Sequence, residues 1–279
     1  MTSGEDFLAR MSRASEVRAR RLSARVGGSD LRRQAMSLPP PPTLRLSPEG
    51  FDLIAEIKLS SPSAGRLSRD ASDIEQRAAT YAQAGACAVS VLTEPERFGG
   101  SMDHLQRAAR ALEPAGIPAM AKDFLVAPEQ VWAARVAGAG GILLIVRMLD
   151  QTRLAALLDL ALGLGMFVLL EAFDREDLDR AAALPVAADD SPAPVLLGLN
   201  CRNLRTLRVD PGRFKELAEH FPDLYPRVAE SGIERPEDVT VVASRGYSVA
   251  LVGTVLMKTA DPGILVRDMI RAGRAASVG

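Results

Sequence analysis

The chain of 279 residues contains few cysteine, histidine and aromatic residues. Its two cysteines, Cys87 and Cys201, lie in apolar or strand-end contexts, which excludes a disulfide framework and favours the reduced thiols of a cytoplasmic protein. Its two histidines, His104 and His220, lie in helical patterns among charged residues, which argues against a histidine triad or a histidine-rich metal site. We therefore expect any catalysis to use lysine and carboxylate side chains.

Neither sign of charge dominates, and long apolar runs are missing. The net charge of −1 argues against a nucleic-acid or membrane-surface partner. No uninterrupted apolar run reaches the roughly 18 residues that a spanning helix requires, and no signal-peptide core follows the first charges. Aromatic residues make up only 4% of the chain, so the core must consist mainly of Ala, Leu, Val and Ile.

The first 47 residues differ from the rest. Residues 6–26 place apolar side chains at helical spacing among many arginines, which predicts an amphipathic helix on the surface of the following domain. The run Pro39–Pro42 predicts a stiff, extended connector. We therefore divide the chain into a helical extension with its connector, 1–47, and one larger domain, 48–279.

From residue 50 onward, short apolar segments alternate with Ala/Leu/Arg helical patterns. Eight segments are predicted strands: DLIAEIK, AVSVLT, PAMAK, GILLIV, MFVLLEA, VLLGLN, RVAES and SVALVG. Their spacing is close to the length of one βα unit. The pattern predicts the α/β class and a single (β/α)8 TIM barrel with an N-terminal helical extension. The alternative is a doubly wound open sheet, which would more often show a glycine-rich fingerprint after its first strand.

Polar residues recur where the predicted strands end. In the first strand, LIAEIK, alternation puts Glu56 and Lys58 on the same face. Lys122, Glu171, Asn200 and Glu230 end four later strands, and a (β/α)8 barrel gathers such positions at one mouth. Two lysines and three glutamates brought together there would shift each other's pKa values and could divide acid and base roles.

The last two predicted strands carry glycines where helices are expected to begin. These are Gly232, before Ile233, and Gly253, before Thr254. Glycine lets backbone amides approach an anion, and barrels often bind phosphate after strands seven and eight. The alternative is that both glycines only form tight turns.

With these residues in place, the sequence resembles the indole-3-glycerol phosphate synthase family over roughly residues 50–272. The resemblance rests on IAEIKLSSPSAG, VLTEPERFGGS, KDFLV, ILLIVRML, LLGLNCRNLRTLRVD, ESGI and ALVGTVLM, in this order. It implies a cytoplasmic lyase of tryptophan biosynthesis that acts on 1-(2-carboxyphenylamino)-1-deoxyribulose 5-phosphate. Ring closure is followed by loss of carbon dioxide and water, with no metal or organic cofactor. It also implies a monomer or weak homodimer.

The resemblance implies roles for the charged residues. Lys122 is expected to be the general acid of ring closure. Lys58 would contact the developing charge or act as the acid of dehydration, and Glu171 would be the base or its electrostatic partner. Glu56 would hold one of the lysines. Asn200 and Glu230 would orient substrate hydroxyls and the lysines.

The remaining expected roles concern substrate binding. Ser231, Gly232, Gly253 and Thr254 would hold the phosphate, with Ser61 in a first loop that closes over it. Arg202 would meet the anthranilate carboxylate. Phe98 would pack on the aromatic ring, and Leu144 would line the apolar side.

Some positions depart from the family pattern, namely Ala64, Ala121 and Thr254, and the segment 184–195 is longer than a typical link. These departures leave room for a substituted anthranilate as substrate. Two other interpretations stay open. One is another phosphosugar barrel enzyme, either an isomerase or an aldolase that forms a Schiff base on Lys122. The other is a barrel that binds a phosphosugar without catalysis.

Overall fold

A computed structural model describes residues 7–62, 65–67, 73–185, 194–204 and 206–277. Eight parallel strands close into a barrel in which consecutive strands pair and the last strand pairs with the first. Each of them falls within one of the eight predicted segments: β1 Asp52–Ile57, β4 Ala88–Leu92, β5 Ala119–Lys122, β6 Gly141–Ile145, β7 Phe167–Ala172, β8 Val195–Asn200, β9 Arg227–Glu230 and β10 Val249–Val252. The predicted (β/α)8 barrel is therefore confirmed. A small hairpin of β2 Ser60–Ser61 and β3 Gly65–Arg66 follows the first strand.

Helices follow the strands and surround the barrel. In the domain they are α3 Ile74–Gln83, α4 Pro95–Phe98, α5 Met102–Leu112, α6 Pro128–Val136, α7 Gln151–Gly163, α8 Arg175–Ala182, α9 Arg213–Glu216, α10 Pro236–Ala243, α11 Thr254–Lys258 and α12 Pro262–Ser277. Side-chain caps begin α4, α5, α7 and α8, because Glu94, Ser101, Asp150 and Asp174 each accept a hydrogen bond from a backbone amide of the first turn. After β8 the connection contains the short α9 and a 3-10 turn, Ala218–His220, instead of one continuous helix.

The N-terminal extension contains two helices, α1 Phe7–Val26 and α2 Gly28–Ser37, where the sequence predicted only the first. The chain turns between them at Gly27, whose φ of 81° favours glycine. α1 packs on the barrel through Ser15, which donates a hydrogen bond to the Phe124 carbonyl and accepts one from Gln130. The proline run that follows forms neither helix nor strand, and Arg135 of α6 donates to its Pro39 carbonyl.

The apolar core has two parts, one on each face of the barrel wall. On β1, Leu53, Ala55 and Ile57 face the surrounding helices, whereas Ile54 faces the interior. Glu56 is therefore on the inner face, where alternation along the strand placed it. In the described part of the chain, no helix has the length and apolar composition that membrane spanning requires. Ala64 and most of the segment 184–195 lie outside the described residues.

Candidate active site

A lysine held between two carboxylates is at the centre of the barrel mouth. Lys122 ends β5, and its Nζ donates to Glu171 Oε2 at 3.2 Å and to Glu230 Oε2 at 3.1 Å. Glu171 is on β7 and Glu230 ends β9, so three separate strands bring this cluster together. The sequence predicted this convergence from strand ends alone.

A second lysine–carboxylate pair lies on the first strand. Lys58 Nζ donates to Glu56 Oε1 at 2.6 Å. Asn200, at the end of β8, joins the two halves of the mouth by donating from Nδ2 to Glu171 Oε1 at 2.8 Å. Its Oδ1 accepts hydrogen bonds from the Ser231 hydroxyl and the Arg202 backbone amide, each at 2.9 Å. Asn200 therefore fixes a carboxylate on one side and the loop after β9 on the other.

The charges of this cluster set one another's protonation. Burial alone would lower the pKa of Lys122, but Glu171, Glu230 and Glu56 outweigh it and raise the pKa above its usual value. Burial alone would raise the pKa of Glu56, but Lys58 and Lys122 outweigh it and hold the pKa below its usual value. Lys122 is therefore a firmly protonated ammonium, and Glu56 is a carboxylate.

Glu230 differs from Glu56 in its environment. Burial raises its pKa to about 8, against the opposing effect of Lys122 and with the support of the nearby Glu171 charge. Its Oε2 accepts from Lys122, but within the described residues no group donates a hydrogen bond to its Oε1. The cluster therefore contains a carboxyl group that can hold a proton at neutral pH.

The loops after β9 and β10 form a polar rim beside the cluster. Ser231 and Gly232 have φ values of 67° and 79°. The left-handed backbone is costly for serine and marks a constrained position next to the site. Gly253 and Thr254 follow the neighbouring strand, β10, and lie at the start of α11. Arg202 reaches this rim with Nη1 fixed by the Leu207 carbonyl at 2.9 Å, and burial lowers the pKa of its guanidinium.

An aromatic and aliphatic wall forms the other side of the cleft. The rings of Phe98 and Phe124 are 6.2 Å apart between centroids, and Phe7 of α1 meets Phe124 edge-on at 6.0 Å. On β6 the lining residues are Leu143 and Ile145. The prediction for Leu144 is wrong, because this residue is on the opposite face of the strand, packed in the outer core with the helices.

The other predicted site residues all line one cleft at the mouth. They are Glu56, Lys58, Ser61, Phe98, Lys122, Glu171, Asn200, Arg202, Glu230, Ser231, Gly232, Gly253 and Thr254. Of the departures from the family pattern, Thr254 lines this cleft, whereas Ala121 faces the outer core. Among the described residues, no group of three or more His, Cys, Asp or Glu side chains is arranged to hold a metal ion.

The sequence did not predict what the N-terminal helix contributes. Phe7 lines the cleft directly. Arg18, three turns further along α1, donates to Asp123 at 2.6 Å and lies 3.6 Å from Glu94. Both acids follow barrel strands, so the helix is fixed to the mouth. The apolar and basic residues of α1 predicted a packed surface helix, and only the fold shows where that helix lies.

Known proteins resemble this chain over most of its length. Residues 9–269 match the family described as Indole-3-glycerol phosphate synthase. Curated proteins named indole-3-glycerol phosphate synthase include one from Streptomyces griseus, 40% identical over 90% of this chain and 89% of that protein. Another, from Methanopyrus kandleri, is 39% identical over 94% of this chain and 95% of that protein. Among solved structures, 3-hexulose-6-phosphate synthase from Salmonella typhimurium has the same fold, with a TM-score of 0.58 at 13% identity over 81% of this chain and 100% of that chain.

Proposed function

The chain belongs to the indole-3-glycerol phosphate synthase family, and we propose that its barrel mouth converts 1-(2-carboxyphenylamino)-1-deoxyribulose 5-phosphate into indole-3-glycerol phosphate, carbon dioxide and water. The observation that carries the proposal is the position of Lys122 between Glu171 and Glu230, next to the Lys58–Glu56 pair. A reaction that first protonates a carbonyl oxygen and later expels it as water needs two acids and a base. The mouth supplies these groups within one cleft.

Ring closure is assigned to Lys122. In this step a carbon of the aromatic ring attacks the sugar carbonyl, a carbon–carbon bond forms, and the carbonyl oxygen takes up a proton. Because the surrounding carboxylates raise the pKa of Lys122, its ammonium retains the proton until a strongly basic alkoxide develops. Before that transfer, the same positive charge stabilises the developing oxyanion electrostatically.

The later steps need an acid and a base on opposite sides of the new ring. Loss of carbon dioxide leaves its bonding electron pair in the ring system and requires no added proton. Lys58 then donates a proton to the hydroxyl that leaves as water, while Glu56, at 2.6 Å, fixes the ammonium. Glu171 accepts the proton whose loss completes the aromatic indole, with Asn200 and Lys122 holding its two oxygens in place.

Substrate binding is divided between the two sides of the cleft. We assign the phosphate to Ser231, Gly232, Gly253 and Thr254, where glycines allow close approach to backbone amides. Ser61 closes the cleft beside it, and Arg202 meets the anthranilate carboxylate. The aromatic ring packs against Phe98 and the apolar wall that includes Phe7, Leu143 and Ile145. This places the reacting carbons between the two walls, over Lys122.

The test is to mix the purified protein with the proposed substrate and to follow the rise of indole fluorescence. A catalytic rise supports the synthase, and a flat trace from folded protein contradicts it. Borohydride added during turnover separates the aldolase alternative, because only an imine on Lys122 would be trapped covalently. The synthase should keep its activity and gain no mass.

A further inference from the structure

Gly198 lies directly behind one of the proposed catalytic carboxylates. It is on β8, and because Leu197 and Leu199 on either side face the outer core, Gly198 faces the barrel interior. A Cβ added at this position would lie 2.2 Å from Glu230 Oε1 and 3.1 Å from its Cδ. The first distance is far below any van der Waals contact, so a side chain here and the observed Glu230 cannot coexist.

The same arrangement recurs at the first strand. A Cβ added to Gly253 would lie 2.3 Å from Glu56 Oε1 and 3.0 Å from both its Cβ and its Cδ. Gly253 follows β10, the strand that pairs with β1. Two of the three glutamates of the mouth therefore pack against a glycine of another strand.

A left-handed backbone does not explain these two glycines, because neither has a positive φ. At Gly253 the φ of −132° is combined with a ψ of −68°, which lies outside the main regions of other residues, so its backbone is a second reason for glycine there. What both positions share is a carboxylate in the space that a side chain would fill. Position 198 requires a residue without a side chain, because Glu230 contacts Lys122 through Oε2 while its Oε1 is directed at Gly198.

We propose that Gly198 and Gly253 are positioning residues, each of which provides the space in which a catalytic carboxylate meets its lysine. Gly198 places Glu230 against Lys122, and Gly253 places Glu56 against Lys58. This gives Gly253 a task in addition to phosphate binding. The inference rests on the proposed function for its effect on turnover, but the steric part is independent of it.

The test is a double-mutant cycle between Gly198→Ala and Glu230→Asp. With Glu230 present, Gly198→Ala should lower kcat by about 100-fold and change KM much less, because a carboxylate displaced by about 1 Å misplaces Lys122. With the shorter Asp at position 230, the same Gly198→Ala change should lower kcat by less than about threefold. Equal losses in both backgrounds would overturn the proposal, since they would show that the methyl group acts without the carboxylate.

A second cycle uses stability and needs no activity. Gly198→Ala should lower the melting temperature when Glu230 is present. This loss should be at least halved in Glu230→Ala, which lacks the atoms that the new methyl group would meet. If the loss is the same in both backgrounds, the steric assignment is wrong. If the cycle shows coupling but the wild-type chain does not turn over the substrate, the proposed function fails and the glycine assignment stands.

Gly273 provides a control glycine that is equally crowded but remote from the barrel mouth. Gly273→Ala, on α12, would place its methyl group 2.3 Å from the Phe51 ring, at equally close range but away from the mouth. It should lower the melting temperature and leave kcat within about threefold of wild type.

The second mutant cycle combines Gly253→Ala with Glu56→Asp and should show coupling in kcat. Any change in KM that Gly253→Ala causes through the phosphate should be the same in both backgrounds. A change in KM that is the same in both backgrounds, without coupling in kcat, would assign Gly253 to the phosphate alone and remove it from the proposal.

Discussion

Two layers of the barrel interior differ sharply although the same strands build both. The lower layer is apolar and includes Ile54 of β1 and Leu169 of β7. Two residues further along, the same faces carry Glu56 and Glu171. Because both layers are almost fully buried, the difference between them is chemical. The lower layer stabilises the fold through apolar packing, and the upper layer holds the charged groups to which we assign the proposed reaction.

The largest expected effect concerns Lys122, the central charge of the upper layer. Lys122→Ala should lower kcat by roughly 10²- to 10⁴-fold, which is the usual contribution of a general acid. Product binding should persist, because the phosphate rim and the apolar wall are unchanged. Indole fluorescence measures the first quantity and equilibrium titration with product measures the second. Turnover near that of wild type would remove Lys122 from ring closure.

The lower layer should respond in the opposite way. Leu196 is fully buried on the inner face of β8, two residues before Gly198. Leu196→Ala should lower the free energy of unfolding by about 2–5 kcal/mol through lost burial and a residual cavity. The kcat of the folded protein should change little. A loss of kcat as large as that of Lys122→Ala would show that the two layers are not separable.

The contrast between layers also explains what the sequence could predict. A charge at the end of an apolar strand is a strong signal, and it correctly predicted that Glu56, Lys122 and Glu171 converge. The strand β6 carries apolar residues on both faces, so its alternation gives no signal, and choosing Leu144 instead of Leu143 or Ile145 placed the residue on the wrong face.

Other features depend on tertiary contacts that no local pattern shows. Phe7 reaches the cleft only because α1 docks beside β5, more than a hundred residues away in sequence. The second helix of the extension, α2, is short and begins within a pair of glycines, Gly27 and Gly28, which have low helix propensity. The roles of Gly198 and Gly253 also required atomic positions, because a glycine in a strand does not reveal which side chain occupies the space beside it.

Two of the buried glutamates, Glu230 and Glu56, predict opposite pH dependence of stability. The pKa of Glu230 is raised from its usual 4.5 to about 8, so between these values the folded state holds a proton that the unfolded state has lost. Its contribution to stability is complete below about pH 4.5 and is lost as the pH rises through about 8. Glu230→Gln cannot ionise, so its melting temperature should rise relative to wild type across this window.

Glu56 provides the matched comparison, because its pKa is lowered from 4.5. Its contribution is present above the unfolded value and is lost as the pH falls through the folded value. Glu56→Gln should therefore be less stable than wild type at neutral pH, and the difference should shrink as the solution is acidified. Thermal unfolding of both variants from about pH 4 to about pH 9 measures these trends. Parallel curves for all three proteins would contradict the assigned shifts.

The smallest effect is expected for Phe7→Ala. Phe7 belongs to neither layer, because it is an aromatic residue of the N-terminal helix α1. Phe7 contacts Phe124 and lines the cleft on its apolar side. Aromatic pairs contribute about 0.5–1.5 kcal/mol beyond their buried area, so Phe7→Ala should raise KM by roughly threefold to tenfold. Its kcat should stay near that of wild type, because the lysines and carboxylates remain in place.

Val17→Ala is the control, because Val17 is on the same helix but is 44% exposed and outside the cleft. If both variants raise KM equally, the helix acts by supporting the barrel. If Phe7→Ala lowers kcat instead, the apolar wall takes part in holding the reacting atoms, and binding and chemistry at this mouth are not divided between its two sides.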